Sequence, residues 1–305
     1  MMIKLFATDL DGTLLNKEHE SDDIIEEGIT EVFKRGKYFA IATGRHYNQV
    51  PIRFNNPRGY YVCLNGAIVS DYAGNILLEC HINKEVLLDF METFKEMNFE
   101  YISKNNIYTL LDCETYKKIM IEGLVSRGLV NSTWIDRFMH EKLENIVYEA
   151  TQEQILNAGI CKINARRGIN QKFDEIEDYI SNSAYLMNSP CDDEMIEITA
   201  ANVTKATALQ WLAKYLNVSE QEVAVYGDGG NDVRMLETFV HSYTPSSASK
   251  IALASSNNII GPFDEYSVIK HIQSIKKDSG QKTRCFFWLY IMQLCLIKLA
   301  ILIII

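Results

Sequence analysis

The chain has 305 residues, 47% apolar and 23% charged, a composition that supports a globular core and excludes a disordered or fibrous chain. A formal charge of −10 at pH 7, with no Lys/Arg run interleaved with aromatics, argues against a nucleic-acid partner, so an anionic substrate must be held by local cations. The seven cysteines (Cys63, Cys80, Cys113, Cys161, Cys191, Cys285 and Cys295) are scattered without a Cys-x-x-Cys pair; they signal neither a disulfide framework nor a zinc site, and fit a reducing cytosol.

In chain order, Ile3–Thr8 reads as a buried strand, entered directly from Met1 with no pattern of a cleavable secretion signal. A helical pattern follows over Asp22–Arg35 and stops at Gly36, and Tyr38–Thr43 and Tyr60–Leu64 read as further strands. Strands alternating with helices predict a parallel sheet. At Asn83, a plausible N-cap, the texture changes. A helix with Leu87, Phe90, Met91, Phe94 and Met97 on one stripe leads into short strand candidates at Tyr101–Ile102, Ile107–Leu111, Ile160–Asn164, Ala184–Met187 and Met195–Thr199. A second helical stretch, with Phe173, Ile176 and Ile180 in phase, lies among them. The α/β rhythm returns with a helix over Thr204–Leu216 and a strand over Val223–Tyr226. The expectation is a Rossmann-like α/β core made discontinuously from residues 1–82 and 191–277, with an α+β unit at 83–190 inserted into it.

Four short stretches carry the chemistry. Asp9-Leu10-Asp11-Gly12-Thr13 follows the first strand and sets two carboxylates at the carboxyl end of a parallel sheet, where open α/β sheets bind ligands. Read alone, Asp11-Gly12 is equally a turn signal. Gly227-Asp228-Gly229-Gly230-Asn231-Asp232 ends a second buried strand and brings more acids to that edge; carboxylates gathered in such numbers suit Mg²⁺, a hard cation with oxygen ligands. Thr43-Gly44-Arg45 offers hydroxyl and amide donors to a phosphate, although a plain strand-ending turn reads the same way. Lys205 opens the helix before the last acidic strand and supplies a cation near the edge, where an isolated first-turn lysine would simply be solvated. His46 reads as an exposed loop histidine.

In this order, over about Ile3 to Ile275, the stretches resemble the haloacid dehalogenase superfamily of phosphohydrolases, specifically the Cof-type group with a type IIB cap. The resemblance implies Asp9 as nucleophile, Asp11 as general acid/base and Lys205 as a further catalytic residue. It implies Thr43, Gly44, Arg45, Asn65 and Lys205 as substrate-binding groups and Asp9, Asp11 and Asp228 as metal ligands, with Asn231 and Asp232 supporting them. Asn65-Gly66, otherwise a hairpin turn, matches an Asn-Gly pair common in the group. The expected activity is Mg²⁺-dependent hydrolysis of a small phosphorylated metabolite through an aspartyl-phosphate. Alternatives are a sugar-phosphate phosphomutase and a non-catalytic membrane-anchored protein. Two departures are Ala206, where the group often has Gly, and Thr244-Pro245-Ser246-Ser247-Ala248, where it usually shows Met-Gly-Asn-Ala.

The end of the chain is no family feature. Within 278–305, the stretch 285–305 is apolar or aromatic but for Gln293 and Lys298 and follows Lys276, Lys277, Lys282 and Arg284. It is long enough to span a bilayer as a tail anchor that leaves the body in the cytoplasm, and it also reads as a non-native end.

Overall fold

The computed structural model describes residues 2–126, 145–167, 172–191 and 193–275. The hydrophobic run at 285–305 and the cysteines within it lie outside them. No helix among the described residues is long and apolar enough to cross a membrane, and Cys63, Cys80, Cys113 and Cys161 are free thiols.

The larger sheet has eight strands. In chain order they are β1 (Leu5–Thr8), β2 (Tyr38–Ala42), β3 (Gly59–Cys63), β4 (Ile68–Asp71), β5 (Ile76–Glu79) and, after a long insertion, β12 (Val223–Tyr226), β13 (His241–Pro245) and β14 (Asn258–Ile260), arranged β14-β13-β12-β1-β2-β3-β4-β5. The run from β14 to β3 is parallel, whereas β3, β4 and β5 form an antiparallel meander at one edge. The sheet is therefore mixed around the expected parallel centre, and Asn65-Gly66 occupies the connection between β3 and β4.

Successive strand residues point to opposite faces, so two apolar layers form. Phe6, Phe39, Ile41, Tyr61 and Ala224 pack with Ile25, Ile29 and Val32 of the helix Asp23–Lys34 and with Val268, Ile269 and Ile272 of the helix Ser267–Ser274. On the other face Leu5, Ala7, Ala40, Val62, Val223 and Val225 meet Leu209 and Leu212 of the helix Lys205–Tyr215, and Met235 and Leu236 of Val233–Thr238. Buried on both faces, these strands read as near-continuous apolar runs, as central parallel strands do.

The insertion builds its own sheet from β6 (Glu100–Ile102), β7 (Ile107–Tyr108), β8 (Ile146–Val147), β9 (Lys162–Arg166), β10 (Leu186–Asn188) and β11 (Met195–Ala200), ordered β10-β11-β9-β6-β7-β8. Asn83 caps the helix Lys84–Thr93, accepting from the N–H groups of Glu85 and Val86. That helix and Phe173–Ser181 cover one face of the sheet, burying Leu87, Phe90, Phe173 and Ile176 against Tyr101, Ile163, Ile196 and Ile198. Lys162, Asn164 and Glu197 alternate onto the opposite face. Because β11 pairs with β9 from Met195 to Thr199, the cap sheet runs through Ala200, about ten residues past the boundary expected at 190.

Candidate active site

Three adjacent parallel strands end together. Thr8 on β1 is level with Tyr226 on β12 and Ile41 on β2, so Asp9, the Gly227-Asp228 pair and Thr43 follow at one edge. Gly12 turns the chain back at φ +72°, and a side chain there would collide with the Asp228 carboxylate. The turn is thus closed by glycine for two independent reasons.

Lys205 sits in the first turn of its helix because Thr204 caps it, accepting the Thr207 N–H at 3.1 Å. Gly66, at φ +102°, lets the β3–β4 connection press against the Thr204 carbonyl, a place any Cβ would invade. So positioned, Lys205 is almost wholly buried, and its Nζ donates to Asp9 Oδ1 and Asp232 Oδ1, each at 2.7 Å. Burial alone would pull the ammonium down; the two carboxylates override it and raise the lysine far above its ordinary value. The other Asp232 oxygen accepts the N–H groups of Asp228 and Gly229 at 3.0 Å each. Asp232 is therefore consumed by Lys205 and by the turn that presents Asp228.

Asp9, Asp228 and Asp232 bring carboxylate oxygens within 4.8 Å of one another. Burial, reinforced by Asp232, Asp228 and Asp11 and opposed by Lys205, holds Asp9 well above the usual carboxylate range. Burial and then Asp232 push Asp228 up to about 7, against the pull of a 2.5 Å hydrogen bond from the Thr13 hydroxyl. One lysine faces three acids, and the remaining donors are all oxygen. That is the chemistry a hard divalent cation complements.

Asp11 lies apart from this group. Arg45 donates to it through Nε at 2.7 Å and through Nη2, and His19 Nδ1 stands 2.9 Å from Oδ1. Burial works to raise this carboxyl, but the His19 hydrogen bond and then Arg45 outweigh it, bringing it down to about 2. Arg45, expected on substrate, is here directed at Asp11 and at the Gln49 carbonyl. Thr43 is buried, and its Oγ1 accepts the Arg45 N–H at 3.1 Å. Asn65 is fully buried at φ +55°, accepts Asn231 Nδ2 at 3.2 Å and donates to the Ser189 carbonyl and to Glu197, both at 3.2 Å.

The edge thus gathers Asp9, Asp228, Asp232 and Lys205, with Asp11, Arg45 and Thr43 beside them and Asn65 and Asn231 linked to each other. His46 departs from expectation. It is 7% exposed because its Nε2 lies 2.5 Å from the carbonyl of Lys104 in the cap, and burial lowers its pKa. The partners His19, Lys162 and Glu197 carried no sequence signal, since each meets its target only through tertiary structure; Thr13 belonged to the first motif. The atypical turn is tied down too. Thr244 donates to the Gly227 carbonyl at 2.6 Å, and Ser249 donates to that of Asp228 at 2.8 Å.

A family model of haloacid dehalogenase-like hydrolases matches residues 6–272. Phosphatase YwpJ of Bacillus subtilis is 26% identical over 267 residues, spanning 77% of this chain and 86% of its own. The 5-amino-6-(5-phospho-D-ribitylamino)uracil phosphatase YbjI of Escherichia coli is 24% identical over 91% of this chain and 97% of its own. Among solved structures, the subclass IIB sugar phosphatase BT4131 superposes with a TM-score of 0.66 at 19% identity, over 88% of this chain and 98% of that one. Motif order, a core interrupted by an α+β cap and the family model over residues 6–272 agree: the chain belongs to the haloacid dehalogenase-like hydrolases.

Proposed function

We propose that the chain hydrolyses small phosphomonoesters through an aspartyl-phosphate on Asp9. The observation that carries the reading is the buried Lys205, whose two 2.7 Å bonds fix Asp9 Oδ1 and Asp232 and leave Asp9 Oδ2 as the attacking atom. As the bond from Asp9 to phosphorus forms, the bond to the leaving oxygen breaks, and the departing alcohol takes a proton from Asp11. Water then attacks the same phosphorus, giving its proton to Asp11 and returning Asp9 as a carboxylate with free phosphate. Dividing the displacement in two lowers each barrier.

Asp11 cannot act as an acid while His19 and Arg45 hold it ionised at about 2. The reading therefore requires both His19 and Arg45 to release Asp11, Arg45 for the incoming phosphoryl group, which relaxes the carboxyl toward a proton-bearing state and pairs the guanidinium with phosphate oxygens. Thr43 and Lys205 face the same group from other sides.

Asp9 and Asp228 side chains and the Asp11 carbonyl would hold Mg²⁺, and the all-oxygen, acid-rich set fits that ion. When bound, it supplies positive charge against the phosphoryl oxygens. As for substrate, the relative named for a phosphoribitylamino-uracil and the neighbour named a sugar phosphatase favour phosphorylated sugars, sugar alcohols or cofactor precursors. The test is phosphate release by the full chain from p-nitrophenyl phosphate and a panel of such monoesters, with and without Mg²⁺. Turnover that needs Mg²⁺ and is lost in Asp9→Asn supports the reading, whereas undiminished turnover by folded Asp9→Asn refutes it.

A further inference from the structure

Two oppositely charged side chains of the cap are buried against the core. Lys162 on β9 and Glu197 on β11 are 2% and 6% exposed and form an ion pair. Lys162 Nζ also donates to the Gly44 carbonyl at 3.0 Å, and Glu197 Oε2 accepts Asn65 Nδ2 at 3.2 Å. An ion pair this deep is a poor device for stability, since apolar side chains of similar volume often serve as well or better. Its distinctive property is direction, for it carries two polar contacts from one domain to specific atoms of the other.

Those atoms lie on two segments that already clasp each other. The Leu64 N–H donates to the Arg45 carbonyl and the Asn65 N–H to the Thr43 carbonyl, both at 3.1 Å. Asn65 in turn receives Asn231 from the acidic loop. The contacts therefore run from Lys162 and Glu197 to the segment bearing Thr43 and Arg45, and through Asn65 to the loop bearing Asp228. His46 adds a parallel contact to the Lys104 carbonyl of the cap.

We infer that the Lys162–Glu197 pair is a positioning latch: seating the cap brings the pair onto Gly44 and Asn65 and fixes the backbone that presents Thr43 and Arg45. Neither residue touches the reacting atoms. The inference rests on the phosphatase reading for its effect on turnover, but its effect on the two segments stands apart from that reading.

The full chain is compared with Lys162→Met, the double variant Lys162→Met/Glu197→Met, and Glu197→Asp, which keeps the charge but shortens the reach to Asn65. The single Lys162→Met strands a buried carboxylate and lowers the melting temperature, and the double variant recovers it. The latch predicts that the double variant and Glu197→Asp nonetheless lose on the order of 10- to 100-fold in kcat on p-nitrophenyl phosphate. Peptides spanning 43–46 and 64–66 exchange amide hydrogen faster in both. Recovery of kcat together with melting temperature in the double variant overturns the latch, as does unchanged kcat and exchange in Glu197→Asp should the double variant fail to fold. Wild-type protein inactive on every monoester overturns the phosphatase reading alone. Faster exchange in the variants still supports the latch in that event, and unchanged exchange refutes it.

Discussion

Lys205 holds the site's balance of charge at the scale of single residues. Its ammonium is the cation bonded to both Asp9 and Asp232, so Lys205→Met leaves two buried carboxylates without it. Removing one partner of such a buried group costs about 3–5 kcal/mol, to be read from urea unfolding, and turnover falls with it because Asp9 loses its orientation. His46 makes a second prediction. Burial holds its pKa below the ordinary value, so the folded state resists a proton that the unfolded chain accepts. The resulting stability is present above about pH 6.5 and is lost as pH falls below that value toward the lower folded pKa. His46→Gln therefore flattens the decline in melting temperature between neutral and mildly acidic pH relative to wild type, and an unchanged slope would refute this assignment. The clustering of Asp9, Asp228 and Lys205 was legible in sequence because each follows or precedes a recognisable buried element. The pairing of Arg45 with Asp11, and of His46 with the cap, was not, because these partners meet only after the strands and the cap are assembled.

Among the elements, the helix Lys205–Tyr215 shows how a local signal sets a distant geometry. Thr204 caps it and Gly66 lets the β3–β4 connection approach it, so the lysine's place is set by its own helix as well as by its carboxylates. Thr204→Ala loses the cap and about 1 kcal/mol of stability, checked by chemical denaturation, and lowers kcat through a less firmly held Lys205. The central strands and the helices Asp23–Lys34 and Lys205–Tyr215 were readable because they carry apolar runs or stripes bounded by acids, glycine or a cap, whereas the flanking helices Val233–Thr238 and Ser267–Ser274 were not read. β4, β5, β13 and β14 escaped notice: they are edge or near-edge strands, with Ile76 at 43% and Ile259 at 60% exposure, and lack the continuous apolar run of a central parallel strand. The reach of the cap sheet to Ala200 was not read from the sequence. The pairing of Met195–Thr199 with β9 depends on partners thirty residues upstream, which local pattern does not reveal.

In the whole molecule, the segments on either side of the insertion meet in one sheet, with Leu5 level with Val223 and Thr8 with Tyr226. The inserted cap carries its own apolar layer and meets the core both through Ile102, Ile107 and Cys161, which join the core's apolar cluster, and through polar contacts at the active edge. The acids belong to strand ends with a fixed pattern and were readable, whereas the cap is assembled from several short strands whose pairing local pattern does not reveal. The central claim is that Asp9 becomes covalently phosphorylated, and acid-quenching the full chain during turnover with Mg²⁺, followed by peptide mass measurement, tests it directly. The account predicts a phosphoryl group on the peptide containing Asp9, accumulating further in Asp11→Asn with p-nitrophenyl phosphate, whose leaving group needs no proton, so that the second step is the one slowed. Phosphate release with no label on Asp9 at any time, or label on another residue, would contradict it.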